Sequence, residues 1–232
     1  MEIKVKKISN PFRDLTRFEA ILLALSLGVV AVSGILSGTE SLLSTVASLV
    51  GVTALISVAK GYVIGQVLVL VFSVLYGINS FFFAYYGEMI TYLGMSAPAA
   101  AATIIAWLRH PYKGTKEVKV NRLANRTIML MVVATIAVTI AFYFILGALG
   151  NANLFVSTLS IATSFLASLL TFYRSPYYAL AYASNDVVLI IMWILAALVD
   201  IAYLPMVFCF IMFLANDIYG FYSWKRMEKR QK

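Results

Sequence analysis

The sequence predicts an all-α integral membrane protein that crosses the bilayer about eight times, and three observations support this fold class. Hydrophobic residues make up 62% of the chain and charged residues only 12%, whereas soluble domains have about 45–50% and about 25%. The apolar residues fall in runs close to the roughly 20 residues that a helix needs to cross about 30 Å of hydrocarbon. The basic residues are confined to alternate connections between those runs, as membrane topology requires.

Eight apolar stretches meet or approach the length of a membrane span. The first follows a basic segment, but its apolar core is longer than the roughly 7–15 residues of a signal peptide, and no clear A-x-A cleavage site follows it. We therefore expect a retained helix there. In chain order the stretches are 18–36, 41–59, 62–85, 89–108, 127–149, 154–173, 177–198 and 202–223.

The lysine and arginine residues test this count, because they mark the cytoplasmic side of a membrane protein. With eight helices and a cytoplasmic N-terminus, all 18 of them fall on the cytoplasmic side. The predicted organisation is a basic cytoplasmic N-terminus (1–17), one transmembrane domain (18–223) and a basic cytoplasmic tail (224–232). The net charge of +8 thus reflects topology, so we expect the lipid bilayer, and not nucleic acid, as the macromolecular partner.

A weak internal repeat divides the transmembrane domain into two three-helix units. The letters LSTV at 43–46 resemble VSTL at 156–159, an offset of 113, and WLR at 107–109 resembles WKR at 224–226, an offset of 117. Both pairs lie on matching sides of the membrane. A single linker helix leaves the two units parallel, which is a known transporter plan. The predicted limits are 41–108 and 154–223 for the repeats and 127–149 for the linker helix.

Polar side chains inside the apolar spans are the candidate functional residues, because such groups face protein or water. Asn185 and Asp186 lie near the middle of the seventh helix, where an Asp costs about 2.5–3.5 kcal/mol on insertion scales. Trp193 shares a helical face with Asp186, and Tyr182 lies one turn before it. This face suits a flat polar ring with hydroxyl groups. The alternative is a structural hydrogen bond to a neighbouring helix.

The third helix carries further polar residues. Gln66, Ser73 and Tyr76 share a broad face, whereas Asn79 is turned well away from Gln66. We expect one or two of them to line a cavity. Interhelix hydrogen bonds, which hold membrane helices together, are the alternative for each.

The eighth helix carries two adjacent polar residues with different expected roles. Asn216 is the deeper of the two and the better site candidate. Asp217 lies nearer the cytoplasmic end, where we expect it to neutralise Lys225 or Arg226.

The sequence lacks the common catalytic patterns. It contains no G-x-x-x-x-G-K-[ST] phosphate loop, no H-E-x-x-H and no G-x-S-x-G, and its one histidine, His110, lies in a basic loop. The sequence therefore predicts no enzyme, no cofactor and no metal site. Because no Lys or Arg lies deep in a span, a neutral or cationic solute is favoured over a phosphorylated one, unless helix N-termini bind the anion.

Four short motifs occur in a fixed order along the chain. They are YYGEM at 85–89, Trp107, the pair Asn185-Asp186, and NDIYG at 216–220 followed by Trp224. Together they resemble the PnuC family of vitamin transporters, also called nicotinamide mononucleotide transporters, over about residues 41–226. One departure lies in the fourth helix, where nicotinamide riboside members commonly have a Gln followed closely by Gly-Trp and this chain has AATIIAW at 101–107.

The resemblance implies a SWEET-like three-plus-one-plus-three bundle, with the first helix as an addition, assembled as a homotrimer in the bacterial inner membrane. It implies facilitated diffusion of a vitamin, with nicotinamide riboside favoured and trapped by cytosolic phosphorylation. Riboflavin, thiamine or another nucleoside stay open as substrates. By motif position the resemblance assigns the substrate contacts to Asn185, Asp186, Trp193, Asn216 and Tyr219.

Two other functions stay open. One is an ion- or proton-coupled transporter in which Asp186 is the coupling carboxylate. The other is a non-transporting scaffold or membrane enzyme subunit, which predicts no saturable binding of a vitamin and no water-filled cavity between the helices.

Overall fold

The computed structural model describes residues 11–36, 42–82, 86–151, 153–199 and 204–232. The predicted span ends at 41, 85 and 202 and the first ten residues of the predicted basic N-terminus lie outside these ranges. Over the described residues the chain forms eight long helices and no β-strand. The helices are α1 Arg17–Leu36, α2 Leu42–Ala59, α3 Val63–Phe82, α4 86–108, α5 Asn125–Ala148, α6 Leu154–Phe172, α7 Tyr178–Val199 and α8 Leu204–Arg230.

The predicted all-α membrane fold is confirmed. Seven of the described helices are long and apolar enough to cross a membrane, and α2 contributes a shorter apolar stretch, Thr45–Ala59. Helix α8 continues through most of the predicted tail and ends at Arg230. Its residue Trp224 is fully buried. The part of the tail nearest the membrane is therefore packed helix.

Helix α4 changes its winding midway. It is α-helical over Tyr86–Ile90, π-helical over Thr91–Ser96 and α-helical again over Ala97–Leu108. The N–H of Ala97 donates to the carbonyl of Tyr92, five residues earlier. The next residue, Pro98, has no N–H to donate, so the regular ladder is interrupted there in any case. Single π-helical turns of this kind are frequent at functional sites.

The connections that carry the basic residues meet at one end of the bundle, which we call the basic end. Four ion pairs and one backbone hydrogen bond join them. The hydrogen bond from Lys116 lowers the pKa of the Asp14 carboxyl from its ordinary value. The contacts are Lys60 to Glu19 at 3.0 Å, Lys116 to Asp14 at 2.7 Å, Arg122 to Glu228 at 3.3 Å, Arg230 to Glu117, and the N–H of Asn121 to the carbonyl of Arg174 at 3.0 Å.

The helices on either side of α5 form two three-helix groups, unit 1 (α2–α4) and unit 2 (α6–α8). The turn between the first and second helices has the same backbone conformation in both units. The second residue after the end of the first helix is left-handed in each unit, Gly61 with φ +67° and Arg174 with φ +59°, and these two positions are 113 residues apart. The hydrogen bonds repeat at the same offset. They are Tyr62 N–H to the Ser57 carbonyl at 3.0 Å and Ser175 N–H to the Leu170 carbonyl at 2.9 Å.

Two buried tryptophans connect the units to each other. Trp107 at the end of α4 donates its Nε1–H to the carbonyl of Thr171 in α6 at 3.0 Å. Trp224 in α8 donates its Nε1–H to the carbonyl of Val58 in α2 at 2.9 Å. The two rings also contact each other, with centroids 5.4 Å apart. Each unit therefore places an indole into the other near the basic end.

Helix α1 packs against both units. A capping box starts it, in which the N–H of Thr16 donates to Glu19 at 2.6 Å and the N–H of Glu19 donates to Thr16 Oγ1 at 3.2 Å. The same Glu19 carboxylate forms an ion pair with Lys60 of unit 1. It also accepts a hydrogen bond from the Tyr219 hydroxyl of unit 2 at 2.8 Å. One buried carboxylate thus links α1 to each half of the bundle.

Candidate functional site

A cavity of about 90 Å³ lies between unit 1 and unit 2, with room for several water molecules. All six helices of the two units contribute to its walls. The lining residues are Gly51, Ala54, Leu55, Val58, Gln66, Val69, Phe72, Ser73, Glu88, Thr91, Tyr92, Ser96, Ser160, Ser164, Tyr178, Tyr182, Asn185, Asp186, Leu189, Phe210, Phe213 and Asp217.

Asn185 is held in the cavity wall by two hydroxyl groups of α6. Its Oδ1 accepts hydrogen bonds from Ser160 Oγ at 3.2 Å and from Thr163 Oγ1 at 2.8 Å. Because the amide oxygen is engaged in this way, the amide nitrogen is the group that Asn185 offers to a ligand as a donor.

Asp186 faces a second carboxyl group across the cavity. Its side chain is 3% exposed, and its Oδ2 has no hydrogen-bond partner in the described part of the chain. The carboxyl of Asp217 on α8, which is 4% exposed, lies within hydrogen-bonding reach of Asp186. No Lys, Arg or His belongs to the lining that the structure describes. Buried charge without a partner is costly, so this pair is a strong candidate for ligand contact.

Aromatic rings form much of the remaining wall. Phe72 is central, with ring centroids 5.8 Å from both Tyr92 and Phe213. Tyr182 lies one helical turn before Asp186, and its hydroxyl is 3.2 Å from Ser168 Oγ. Tyr178 lies a further turn towards the basic end, and its ring packs against Trp224 with centroids 4.8 Å apart. The site therefore combines flat apolar surfaces with carboxyl, amide and hydroxyl groups.

Three of the predicted site residues line the cavity: Gln66, Asn185 and Asp186. Tyr76 lies directly behind the wall, with its ring 5.5 Å from Phe72 and 4.4 Å from Tyr92.

Two further predicted residues, Asn79 and Trp193, are buried at 5% and 4% exposure but do not belong to the lining. Trp193 belongs to a hydrophobic cluster with Tyr76 and Leu189.

The remaining two predicted residues contact α1 instead of the cavity. The Nδ2 group of Asn216 donates to Ser26 Oγ at 2.9 Å and to the carbonyl of Met212 at 2.7 Å. The Tyr219 hydroxyl donates to Glu19 of α1. Both residues therefore lie on the face of α8 that holds α1 against unit 2.

The expectation that Asp217 neutralises Lys225 or Arg226 was wrong. Lys225 pairs with Glu228 at 2.7 Å, and the Arg226 guanidinium lies 5.3 Å from the Tyr222 ring centre. Adjacent residues on a helix point about 100° apart. The rotation of α8 that directs Asn216 towards α1 therefore directs Asp217 into the cavity.

The α6 wall of the cavity was not predicted from the sequence. Five hydroxyl residues at helical spacing lie along one face of this apolar helix, and each is buried or half-buried. Such a stripe is a recognisable signal, because polar residues within a span face protein or water. The stripe consists of Ser157, Ser160, Ser164, Ser168 and Thr171.

A multi-pass bundle of apolar helices around a polar, aromatic cavity between two similar units defines a membrane transporter of small solutes. Comparison with known proteins narrows this class. The chain belongs to the nicotinamide mononucleotide transporter family, whose sequence pattern matches residues 41–226. The resemblance found in the sequence motifs is thereby confirmed.

Two sequence relatives and one solved structure agree with this assignment. The chain is 28% identical to the nicotinamide riboside transporter PnuC of Neisseria mucosa, over 94% of this chain and 85% of that protein. It is 22% identical to the nicotinamide riboside transporter PnuC of Haemophilus influenzae, over 92% of both. The fold matches the crystal structure of a vitamin B3 transporter PnuC with a TM-score of 0.81 and 27% identity, over 94% of each chain.

Proposed function

We propose that this protein carries nicotinamide riboside across the bacterial inner membrane by facilitated diffusion, and that phosphorylation in the cytosol traps the product. The observation that carries the proposal is the cavity between the units. It sets Asn185 and Asp186 beside several aromatic rings, in a chain whose relatives bear the name of nicotinamide riboside transporters.

The substrate has two chemically different parts, and the wall offers groups suited to each. Its flat pyridine ring suits the rings of Tyr92, Tyr182 and Phe213 by stacking. Its ribose hydroxyls suit the Asn185 amide nitrogen, which can donate a hydrogen bond, and the Gln66 amide, which can donate and accept. We therefore retain Gln66, Asn185 and Asp186 as substrate contacts and place Tyr76, Asn79 and Trp193 behind them as supporting residues. Asn216 and Tyr219 act through the position of α1.

We further propose that unit 1 and unit 2 are the parallel repeats of a SWEET-like three-plus-one-plus-three bundle, and that they rock against each other around the cavity. The shared turns and the reciprocal tryptophans support this relation. The basic end would lie in the cytosol, together with both termini, because basic residues are retained on that side. Labelling of Lys113 or Lys225 from the external medium would contradict this orientation.

A homotrimer is the assembly that the family resemblance favours, and α5 supports it. This helix packs against α6 and leaves most of its apolar side chains exposed, among them Met129, Val133, Ile140 and Phe144. Mass measurement in mild detergent tests the assembly. A single-chain mass in all lipids and detergents tried contradicts it.

Uptake into proteoliposomes tests the proposed function. Labelled nicotinamide riboside should enter vesicles that contain the protein, saturably, and unlabelled nicotinamide riboside should compete. Riboflavin, thiamine and common nucleosides serve as rival substrates in the same assay. Ser184→Ala provides a matched control, because Ser184 precedes Asn185 but is exposed and donates to the carbonyl of Leu180 within its own helix. Absence of saturable uptake for every compound would favour the scaffold function.

Proton-coupled transport through Asp186 is a second candidate, and the nearby Asp217 carboxyl is the observation that favours it. It predicts that a pH gradient drives accumulation of the substrate above its external concentration. In vesicles without a membrane potential, facilitated diffusion predicts that the internal concentration only reaches the external one.

A further inference from the structure

We propose that Asp186 and Asp217 together form a cation site that recognises the positive charge of the substrate ring, with Asp217 as the residue that sets the preference for cationic over uncharged ring compounds. This inference rests on the proposed function. It goes beyond it by assigning charge selectivity to a specific pair of side chains. The pyridine nitrogen of nicotinamide riboside carries the glycosidic bond, so its ring is a cation, whereas the reduced dihydro form has nearly the same shape and no charge.

The burial of the pair is the first argument. Asp186 and Asp217 are 3% and 4% exposed, and both line the cavity. The unpartnered Oδ2 of Asp186 belongs to a side chain that is almost entirely out of contact with water. A buried carboxylate requires a compensating charge or hydrogen bonds, and a cationic ligand in the cavity supplies the first of these.

The charge balance of the cavity is the second argument. The described lining contains three carboxyl groups, Glu88, Asp186 and Asp217, and no basic side chain. At the basic end, Lys60 pairs with Glu19 and Lys225 with Glu228, outside the cavity. The cavity therefore attracts a cation and disfavours an anion.

The aromatic wall is the third argument. Tyr92, Tyr182 and Phe213 present ring surfaces to the same space as the two carboxyl groups. An aromatic face attracts a cation through its negative electrostatic potential, and the attraction increases where water is excluded. A flat cationic ring is complementary to both features at once, whereas a flat uncharged ring matches only the stacking surfaces.

Unit 1 indicates that the fold does not need these carboxyl groups. At the repeat offset of 113, Asp186 corresponds to Ser73, and at the offset of 117, Asp217 corresponds to Ala100. Both counterparts are buried in the equivalent helices of unit 1, Ser73 in α3 and Ala100 in α4. A small side chain therefore suffices at these positions for helix packing, which leaves ligand recognition as the role of the carboxyl pair.

The pair also makes binding sensitive to pH. Two carboxyl groups that face each other need one proton between them when no other cation is present. A cationic ligand displaces that proton. The proton is then released to the water on the side to which the cavity is open. The other titratable groups that face the pair are Glu88 and Tyr92 from α4, Tyr178 and Tyr182 from α7 and Cys209 from α8. The described lining from α2, α3 and α6 contains no titratable group.

The experiment compares two ligands on the purified full-length protein. We measure the affinity of nicotinamide riboside and of its dihydro form at neutral pH for the wild type, Asp217→Asn and the control Ser184→Ala. The wild type should prefer the cation by about tenfold or more. Asp217→Asn keeps the shape but removes the charge, so it should weaken binding of the cation by about tenfold and change binding of the neutral form by less than about twofold.

A pH series on the wild type gives an independent test that needs no variant. Affinity for nicotinamide riboside should fall as the pH is lowered from 8 to about 5.5, because the proton competes for the pair. Equal affinity for both ligand forms, or an affinity that does not change with pH, overturns the charge-selective pair while leaving the transporter proposal in place. Failure of the wild type to bind either form overturns the proposed function itself.

Discussion

Unit 1 and unit 2 reverse direction at the basic end with the same backbone, a left-handed residue at Gly61 in one and at Arg174 in the other. Each then sends a tryptophan into its partner, Trp107 to Thr171 and Trp224 to Val58. The acceptors Val58 and Thr171 are themselves 113 residues apart. These shared positions lie at turns and helix ends, where they fix how the units meet.

The units differ where they face the cavity. Unit 2 contributes Asn185, Asp186 and Asp217, and unit 1 has Ser73 at the position of Asp186 and Ala100 at the position of Asp217. The comparison indicates that the common positions specify the architecture, while the positions that differ are the ones that we propose for ligand recognition. Four substitution experiments test this division, beginning with the one from which we expect the largest effect.

Removal of the Asp186 carboxylate should affect transport far more than removal of the Ser73 hydroxyl at the equivalent position of unit 1. We expect Asp186→Ala to lower uptake of nicotinamide riboside by about tenfold or more, because the substrate loses a buried charged partner. Ser73→Ala should change uptake by less than about twofold. Both variants should insert into the membrane as the wild type does. The amount of protein in the membrane fraction and the elution profile in size-exclusion chromatography check this. Equal losses in the two variants would show that recognition is shared between the units.

The reciprocal tryptophans should contribute equally to stability. Trp107→Phe and Trp224→Phe each keep a buried ring but remove the Nε1–H. The carbonyls of Thr171 and Val58 then lose one hydrogen bond each and keep the one from the backbone N–H of Arg174 and of Gly61. We expect the lost hydrogen bond and the smaller side chain together to cost about 1–3 kcal/mol in each variant, seen as a lower melting temperature in detergent. A large effect from only one of them would contradict the equivalence of the two positions.

The two turns should respond in opposite directions to exchange of their left-handed residues. Gly61→Ala should destabilise by about 1 kcal/mol, and its added methyl would also approach the Met227 side chain at 3.0 Å.

Arg174→Gly should stabilise by a similar amount, since glycine adopts this conformation freely. Burial lowers the pKa of Arg174 from its ordinary value, so removing its side chain also removes a partly desolvated charge. Melting temperatures of the two variants measure both effects. Destabilisation by Arg174→Gly would reveal a contact of the arginine that outweighs its backbone conformation.

Contacts outside the units should matter least. Asp14→Asn removes the surface ion pair with Lys116, and we expect a change in melting temperature close to the error of measurement. The pKa of Asp14 is lowered in the folded protein, so the pair stabilises the fold above the ordinary Asp pKa and is lost as the pH falls through the lowered value. Wild type and variant should therefore show the same pH dependence of melting between pH 8 and pH 5.

The number, type and alternation of the helices follow from the sequence because lipid imposes a length and a polarity on every span. The rotation of each helix about its axis does not follow in the same way. Asn216 and Asp217 are neighbours of similar polarity, and only the packing of α8 between α1 and α7 decides which of them meets the cavity. Gln66, Asn185 and Asp186 were recognisable because each is a polar side chain within an apolar span, where such groups face protein or water.

The double attachment of Glu19 has a mechanical consequence. Its carboxylate holds Lys60 on one half of the bundle and Tyr219 on the other, and a single short side chain has a reach of only a few ångströms. If the halves separate at the basic end, as the proposed rocking motion requires, one of these two contacts must break. The first helix would then move with the half whose contact is kept, and the strength of the broken contact would contribute to how often the exit opens.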